Sequence, residues 1–133
     1  EKQVNWIGFV DRIDRIGNPY RLVDYKSGLV KSEHVVYKRK SELVQSFKSC
    51  KHALQLATYA FLFNENYNHP PAVMGIYAIQ RKTQAFFPLV HEGITPEEFM
   101  RDFKDLIQEV FSEIYDDTVP FSHQADAKYC NYC

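Results

Sequence analysis

Apolar and polar positions alternate from Tyr20 to Lys26, so Asp24 and Lys26 point one way while Val23 and Tyr25 point the other, as the two-residue period of a strand requires. Gly8 to Asp14 is rich in β-branched and aromatic residues, and Phe9, Asp11 and Ile13 share one of its faces. Gly17-Asn18-Pro19 between the two runs is turn chemistry, so the pattern predicts a β-hairpin over residues 8 to 28. Residues 29 to 40 read as a polar connector. From about Ser41 to Asn64, Leu43, Phe47, Cys50, Leu54, Ala57 and Phe61 recur at spacings of three and four, the apolar stripe of an amphipathic helix. Lys48, His52, Gln55 and Tyr59 keep the same spacing on another side. Pro70-Pro71 closes that region, because proline lacks a donor and restrains the residue before it.

Ala72 to Gln80 and Thr83 to Val90, either side of Arg81-Lys82, predict a second hairpin. Thr95-Pro96-Glu97-Glu98 is a capping box with proline at the first helical position. The helix it starts buries Phe99, Phe103, Leu106, Val110 and Ile114 and leaves Glu97, Asp102, Asp105 and Glu109 as a solvated face. The order β-β-α-β-β-α predicts an α/β fold with a mixed sheet flanked by helices.

The first hairpin also carries candidate chemistry. If its register sets Asp11 beside Asp24, two unit charges about 4 Å apart repel by roughly 4 kcal/mol at an effective dielectric of 20. A hard divalent cation relieves that repulsion, since Mg²⁺ sits on one or two carboxylates together with phosphate oxygens. Lys26 would then hold a phosphate or orient a water. Arg12 and Asp14 point away from Asp11 and read as a structural pair, with Asp14 a second-choice ligand in another register. The competing reading is a solvated hairpin face with Asp and Lys paired across strands, worth only about 0.2–1 kcal/mol per pair.

Three segments in order, G8-F-V-D11-R-I-D14, V23-D24-Y-K26-S-G28 and Q55-L-A-T-Y59-A, resemble the RecB-type (AddB-like) branch of the PD-(D/E)XK nuclease superfamily. The resemblance implies a restriction-endonuclease-like core, with Mg²⁺ or Mn²⁺ bound by Asp11, Asp24 and the Tyr25 backbone carbonyl. It implies Lys26 as the catalytic lysine, and Gln55 and Tyr59 as residues that support the site or touch DNA. A Gln and a Tyr satisfying each other at a helix edge is the alternative, and His52 reads as a helix-face residue. The activity implied is DNA hydrolysis, as an exonuclease in repair or recombination, alongside a helicase subunit or domain. The rival is an inactive nuclease-like module that binds DNA or serves as a structural partner, and a plain α/β interaction domain is a third reading. Related nucleases carry a helix before the first strand that bears a further Glu or His ligand. Residues 1–133 thus read as a single nuclease-like domain lacking that helix and the end of a cysteine motif.

Composition narrows this picture. With 45% hydrophobic residues over 133 positions the chain can bury one core. A net charge of −1 means that nucleic-acid contact must come from local clusters such as Lys38-Arg39-Lys40, or Lys48, Lys51 and His52. Either cluster alone also fits a solvated helix face. No window approaches the roughly 18 apolar residues of a membrane span, and a cytoplasmic protein is the expectation. Cys130-Asn131-Tyr132-Cys133 is a C-x-x-C pair, in a reducing compartment more often a metal or redox element than a disulfide. By resemblance, Cys130 and Cys133 would ligate a [4Fe-4S] cluster in a longer protein, which needs four thiolates; two ordinary thiols is the alternative. Cys50 falls on the helix stripe and reads as core.

Overall fold

A computed structural model describes residues 4–15, 17, 19–38, 50–91 and 93–120. Its first elements are β1 (Arg12–Arg15) and β2 (Tyr20–Lys26), antiparallel in the register Arg12 to Val23 and Arg15 to Tyr20. Gly17, at φ +72, takes the left-handed conformation the turn needs and that only glycine adopts freely. The predicted hairpin is therefore present, but its first strand is shorter than Gly8 to Asp14. Residues 8 to 11 do not pair with a strand. They lie along a helix, where a Cβ on Gly8 would come within 2.9 Å of Leu62 Cδ1.

A 3₁₀ turn at Ser32–Val35 leads into β3 (Val36–Tyr37), so the polar connector holds two short elements that its composition did not reveal. The described part of the long helix is α1 (Lys51–Tyr67), ending three residues beyond the predicted Asn64. Asn68 caps it at φ 49, with its N–H on the Asn64 carbonyl, and the proline pair follows. Leu43, Phe47, Lys48 and the start predicted at Ser41 lie outside the described residues, as do Arg39 and Lys40. Within α1 the buried line is Ala53, Leu56, Ala57, Ala60 and Phe63. Leu54 and Phe61, assigned to the predicted stripe, are only partly buried. The helix rotates toward its small side chains because alanines let it approach the sheet closely.

Beyond it come β4 (Val73–Ala78), β5 (Phe86–Pro88), β6 (Val90–His91) and α2 (Pro96–Ile114). The main sheet runs β1-β2-β4-β5, with β2 and β4 parallel and both outer pairings antiparallel. The second hairpin is as predicted, except that its distal strand divides and β6 pairs in parallel with β3 as a separate two-stranded sheet. Gly75 is required by β5, since a Cβ there would meet the Phe86 ring at 2.5 Å.

One face of the sheet, with Leu22, Met74, Ile76 and Phe87, packs on α1 and on Phe99, Phe103 and Leu106 of α2. Each fully buried aliphatic or aromatic side chain there contributes about 1.5–3 kcal/mol. Thr95 and Glu98 form the predicted box, the Thr95 hydroxyl accepting from the Glu98 N–H at 3.2 Å and the Glu98 carboxylate from the Thr95 N–H at 2.8 Å. Val110 and Ile114 are exposed, contrary to expectation, because the last turns of α2 run past the edge of the core. Phe111 instead stands edge-on to Trp6, at 5.9 Å between centroids. Asp102 is not simply solvated either; it accepts from the Tyr37 hydroxyl at 3.1 Å. Burial and this carboxylate together push the Tyr37 phenol far above its usual range.

Candidate active site

Strand periodicity brings Asp24 and Lys26 onto the face that α1 covers. In the register of β2 with β4, Leu22, Asp24 and Lys26 lie across from Met74, Ile76 and Ala78, the inward residues of β4. Asp24 is therefore a carboxylate in the core layer, 3% exposed. Burying an ion costs several kcal/mol unless partners replace water. Lys26 Nζ lies 2.7 Å from Asp24 Oδ2, and Gln55 Nε2 donates to Oδ1 at 3.1 Å. The same amide donates to the Tyr59 hydroxyl at 2.7 Å. Gln55 and Tyr59, one turn apart on α1, are thus tied to the strand carboxylate through one NH₂ group.

The Lys26 ammonium is the partner of the buried Asp24 Oδ2, and among the described residues no further donor reaches that oxygen. Without that ammonium the oxygen would be a buried acceptor short of a partner, at a cost of about 1–3 kcal/mol.

Asp11 directly precedes β1, whose last pair with β2 is Arg12 with Val23. Asp11 is exposed, and its Oδ2 accepts from the Tyr25 backbone N–H at 2.8 Å. That bond ties Asp11 to β2. The Tyr25 side chain projects from the opposite face, with its hydroxyl 3.3 Å from Arg12 and its ring 5.9 Å from Tyr77. Carboxylate oxygens such as those of the buried Asp24 and the exposed Asp11 are the kind of donor a hard divalent cation takes. Among the described residues no group of three or more His, Cys, Asp or Glu side chains is placed to hold a metal ion.

Asp14 belongs elsewhere. Arg21 grips it with two hydrogen bonds of 2.8 and 2.7 Å, and Arg12 Nε approaches at 2.9 Å. Arg21 holds its carboxyl below the ordinary carboxylate range. The structural pair read from the sequence is present and is a triad.

His52 lies on α1, the helix position read from the sequence. Its ring is 5.7 Å from that of His34 in the 3₁₀ turn. Burial lowers its pKa first, then the charges of Lys51, Lys26 and His34, while Asp24 opposes the shift. The electrostatic coupling to Lys26 and Asp24 sets His52 among the site's neighbours. Its spacing of three before Gln55 was the available signal; the proximity of His34 had none. Cys50 is a buried thiol, as expected. Cys130 and Cys133 lie outside the described residues. No described helix is long and apolar enough to cross a membrane.

A mixed sheet flanked by helices, with an Asp-x-Lys strand at its centre, is the architecture of a restriction-endonuclease-like core. The chain belongs to the PD-(D/E)XK nuclease superfamily, whose profile matches residues 2–133. No curated protein and no solved structure matches it significantly.

Proposed function

We propose that this protein hydrolyses phosphodiester bonds of DNA with the help of Mg²⁺ or Mn²⁺, as a RecB-type exonuclease domain working in repair or recombination beside a helicase. The observation that carries the reading is the buried Asp24 carboxylate, 2.7 Å from the Lys26 ammonium on one oxygen and held by Gln55 on the other. A buried charge pair is a costly way to stabilise a fold, so its presence supports a role in chemistry. Asp11, Asp24 and the Tyr25 carbonyl would hold the cation. When bound, it polarises the phosphate and lowers the pKa of a water molecule. Lys26 places a fixed ammonium where negative charge develops on the phosphate, in a site partly shielded from solvent and therefore electrostatically effective. Gln55 fixes the Asp24 carboxylate, and Tyr59 fixes Gln55. The RecB-type assignment draws on the three sequence segments and their order. Phosphodiester chemistry at Asp11 and Asp24 requires nothing of Cys130 and Cys133, whose spacing is that of two ligands of an iron–sulfur cluster.

The test is cleavage of end-labelled single- and double-stranded DNA with Mg²⁺, Mn²⁺ or EDTA. Metal-dependent cleavage that falls by about 10³-fold in Lys26→Met supports the reading. Equal cleavage by wild type and Lys26→Met sinks the site, and DNA binding without any cleavage assigns the domain to the inactive, nucleic-acid-binding class.

A further inference from the structure

Arg21, Val23 and Tyr25 alternate along β2 with Leu22, Asp24 and Lys26, so they face away from α1. The register sets Asp14 and Val73 beside Arg21, Arg12 and Gly75 beside Val23, and Tyr77 beside Tyr25, with Phe86 next across. Among the described residues, both helices pack on the other face. This outer face holds a hollow of about 360 Å³ lined by Arg12, Arg21, Val23, Tyr25, Tyr77 and Phe86, a volume within the range of small-ligand sites. Val23, 3% exposed, lies at its floor. Gly75 leaves the space open by lacking a side chain, and the Phe86 ring leans over it.

Two kinds of group converge there. Asp14 offers one negative charge to two guanidiniums, so the face keeps positive charge in excess. Arg21 spends Nε and Nη2 on Asp14, while Arg12 spends Nε on Asp14 and Nη1 on the Tyr25 hydroxyl. That leaves Nη1 of Arg21 and Nη2 of Arg12 for an incoming anion, and the planar guanidinium matches phosphate oxygens. The other group is aromatic. Tyr25 and Tyr77 meet edge-on with centroids 5.9 Å apart, 38% and 42% exposed, and Arg21 lies 5.7 Å over the Phe86 ring. Open ring faces of this kind stack on a further planar ring.

We propose that this hollow binds a free nucleoside monophosphate, its base against Tyr25, Tyr77 and Phe86 and its phosphate on Arg12 and Arg21. An acidic peptide side chain supplies the charge without the ring, and a single phenyl ring with a phosphate fills less of a hollow this wide. Cleavage of a strand releases nucleotides, so the choice of ligand rests on the nuclease reading above; the pocket itself does not. The sheet lies between this site and Asp24, and occupancy needs neither metal nor Lys26. Tyr25 is common to both, its ring lining the hollow while its backbone N–H holds Asp11 Oδ2 at 2.8 Å.

The experiment is isothermal titration calorimetry in EDTA with deoxyadenosine monophosphate, compared with deoxyadenosine, deoxyribose phosphate, phenyl phosphate and an unphosphorylated twelve-nucleotide oligodeoxyadenylate. Wild type should bind the monophosphate at least about tenfold more tightly than deoxyadenosine, deoxyribose phosphate or phenyl phosphate. Tyr77→Ala should weaken binding at least about fivefold by removing a stacking face, and Arg12→Gln about tenfold by removing a charged donor. Both side chains are open to solvent and Arg21 alone holds Asp14 with two bonds, so circular dichroism should stay as in wild type. Lys26→Met should bind like wild type. No binding of the monophosphate at millimolar concentration overturns the proposal, as do unchanged affinities in Tyr77→Ala and Arg12→Gln. Deoxyribose phosphate binding equally well reduces the site to an anion patch, and phenyl phosphate binding equally well gives it to a phosphorylated tyrosine; either overturns it. So does an oligodeoxyadenylate that binds more tightly through Tyr77, which makes the occupant a strand, or a loss in Lys26→Met, which moves the nucleotide to Asp24. Because the readout is affinity without metal, its failure is distinct from absent cleavage, which would sink the nuclease reading alone.

Discussion

Asp14 and Asp24 stand on adjacent strands of one hairpin, each beside a cation, yet their surroundings are opposite. Asp14 is near the surface and saturated, with two guanidiniums and three contacts of 2.7–2.9 Å. Asp24 is sunk in the core layer, with one lysine on Oδ2 and one amide on Oδ1. Burial and number of partners, more than the presence of a charge pair, separate the two: on the proposed function the buried, sparsely held Asp24 is the carboxylate used for chemistry, and the thrice-held Asp14 clamps the hairpin. Buried charges with few partners are costly and persist where function requires them.

The largest effect should come from Asp24→Asn. It should abolish metal-dependent cleavage, by about 10³-fold or more, while the thermal midpoint falls only slightly, because the part-exposed Lys26 ammonium that loses its partner can turn to solvent and the amide oxygen still accepts from Gln55. A clear fall in the midpoint would erase the contrast by showing that the Asp24 charge serves the fold. Gln55→Ala comes next. Removing a group that orients a ligand costs about 10–100-fold, and a manganese titration of cleavage should shift to higher concentration. Unchanged cleavage and an unchanged titration would detach α1 from the site. Asp14→Asn should have the smallest effect, leaving cleavage intact and acting only on acid stability. Because Arg21 lowers the folded pKa of Asp14 below its ordinary 3.8, the ionised form contributes stability above that value, lost as pH falls through the lowered one. Thermal midpoints of the variant should therefore depend less on pH below about 4 than those of wild type, and a parallel pH curve would refute the clamp.

Much of this was legible in the chain because it is local. The Gly17 turn, the parity that puts Asp24 and Lys26 together, the Thr95–Glu98 box and the Gln55–Tyr59 spacing all depend on neighbours a few residues away. Where the answer depended on distant packing, the reading fell short. Of the stripe read on α1, Cys50 and Ala57 are buried, but Leu54 and Phe61 lie at the margin of the core, and Ala53, Leu56, Ala60 and Phe63 take its centre. Two-residue strands at Val36–Tyr37 and Val90–His91 exist only because each supplies the other. Asp102 looked solvated until Tyr37 was brought to it, and His34 reaches His52 only through the packing of the 3₁₀ turn on α1.

The parallel pairing of β2 with β4 sets a timetable. The β1–β2 hairpin closes over a few residues, but setting Asp24 beside Ile76 closes a loop that contains the whole of α1. Loop closure of that length is entropically costly and slow compared with local turns. The same closure brings Gln55 to Asp24. An emerging chain therefore displays Asp11, Asp24 and Lys26 early, as an open hairpin with its charges in water. The enclosed arrangement of Asp24, Lys26 and Gln55 arises only when the crossover is complete, so the proposed site is assembled at the end of folding.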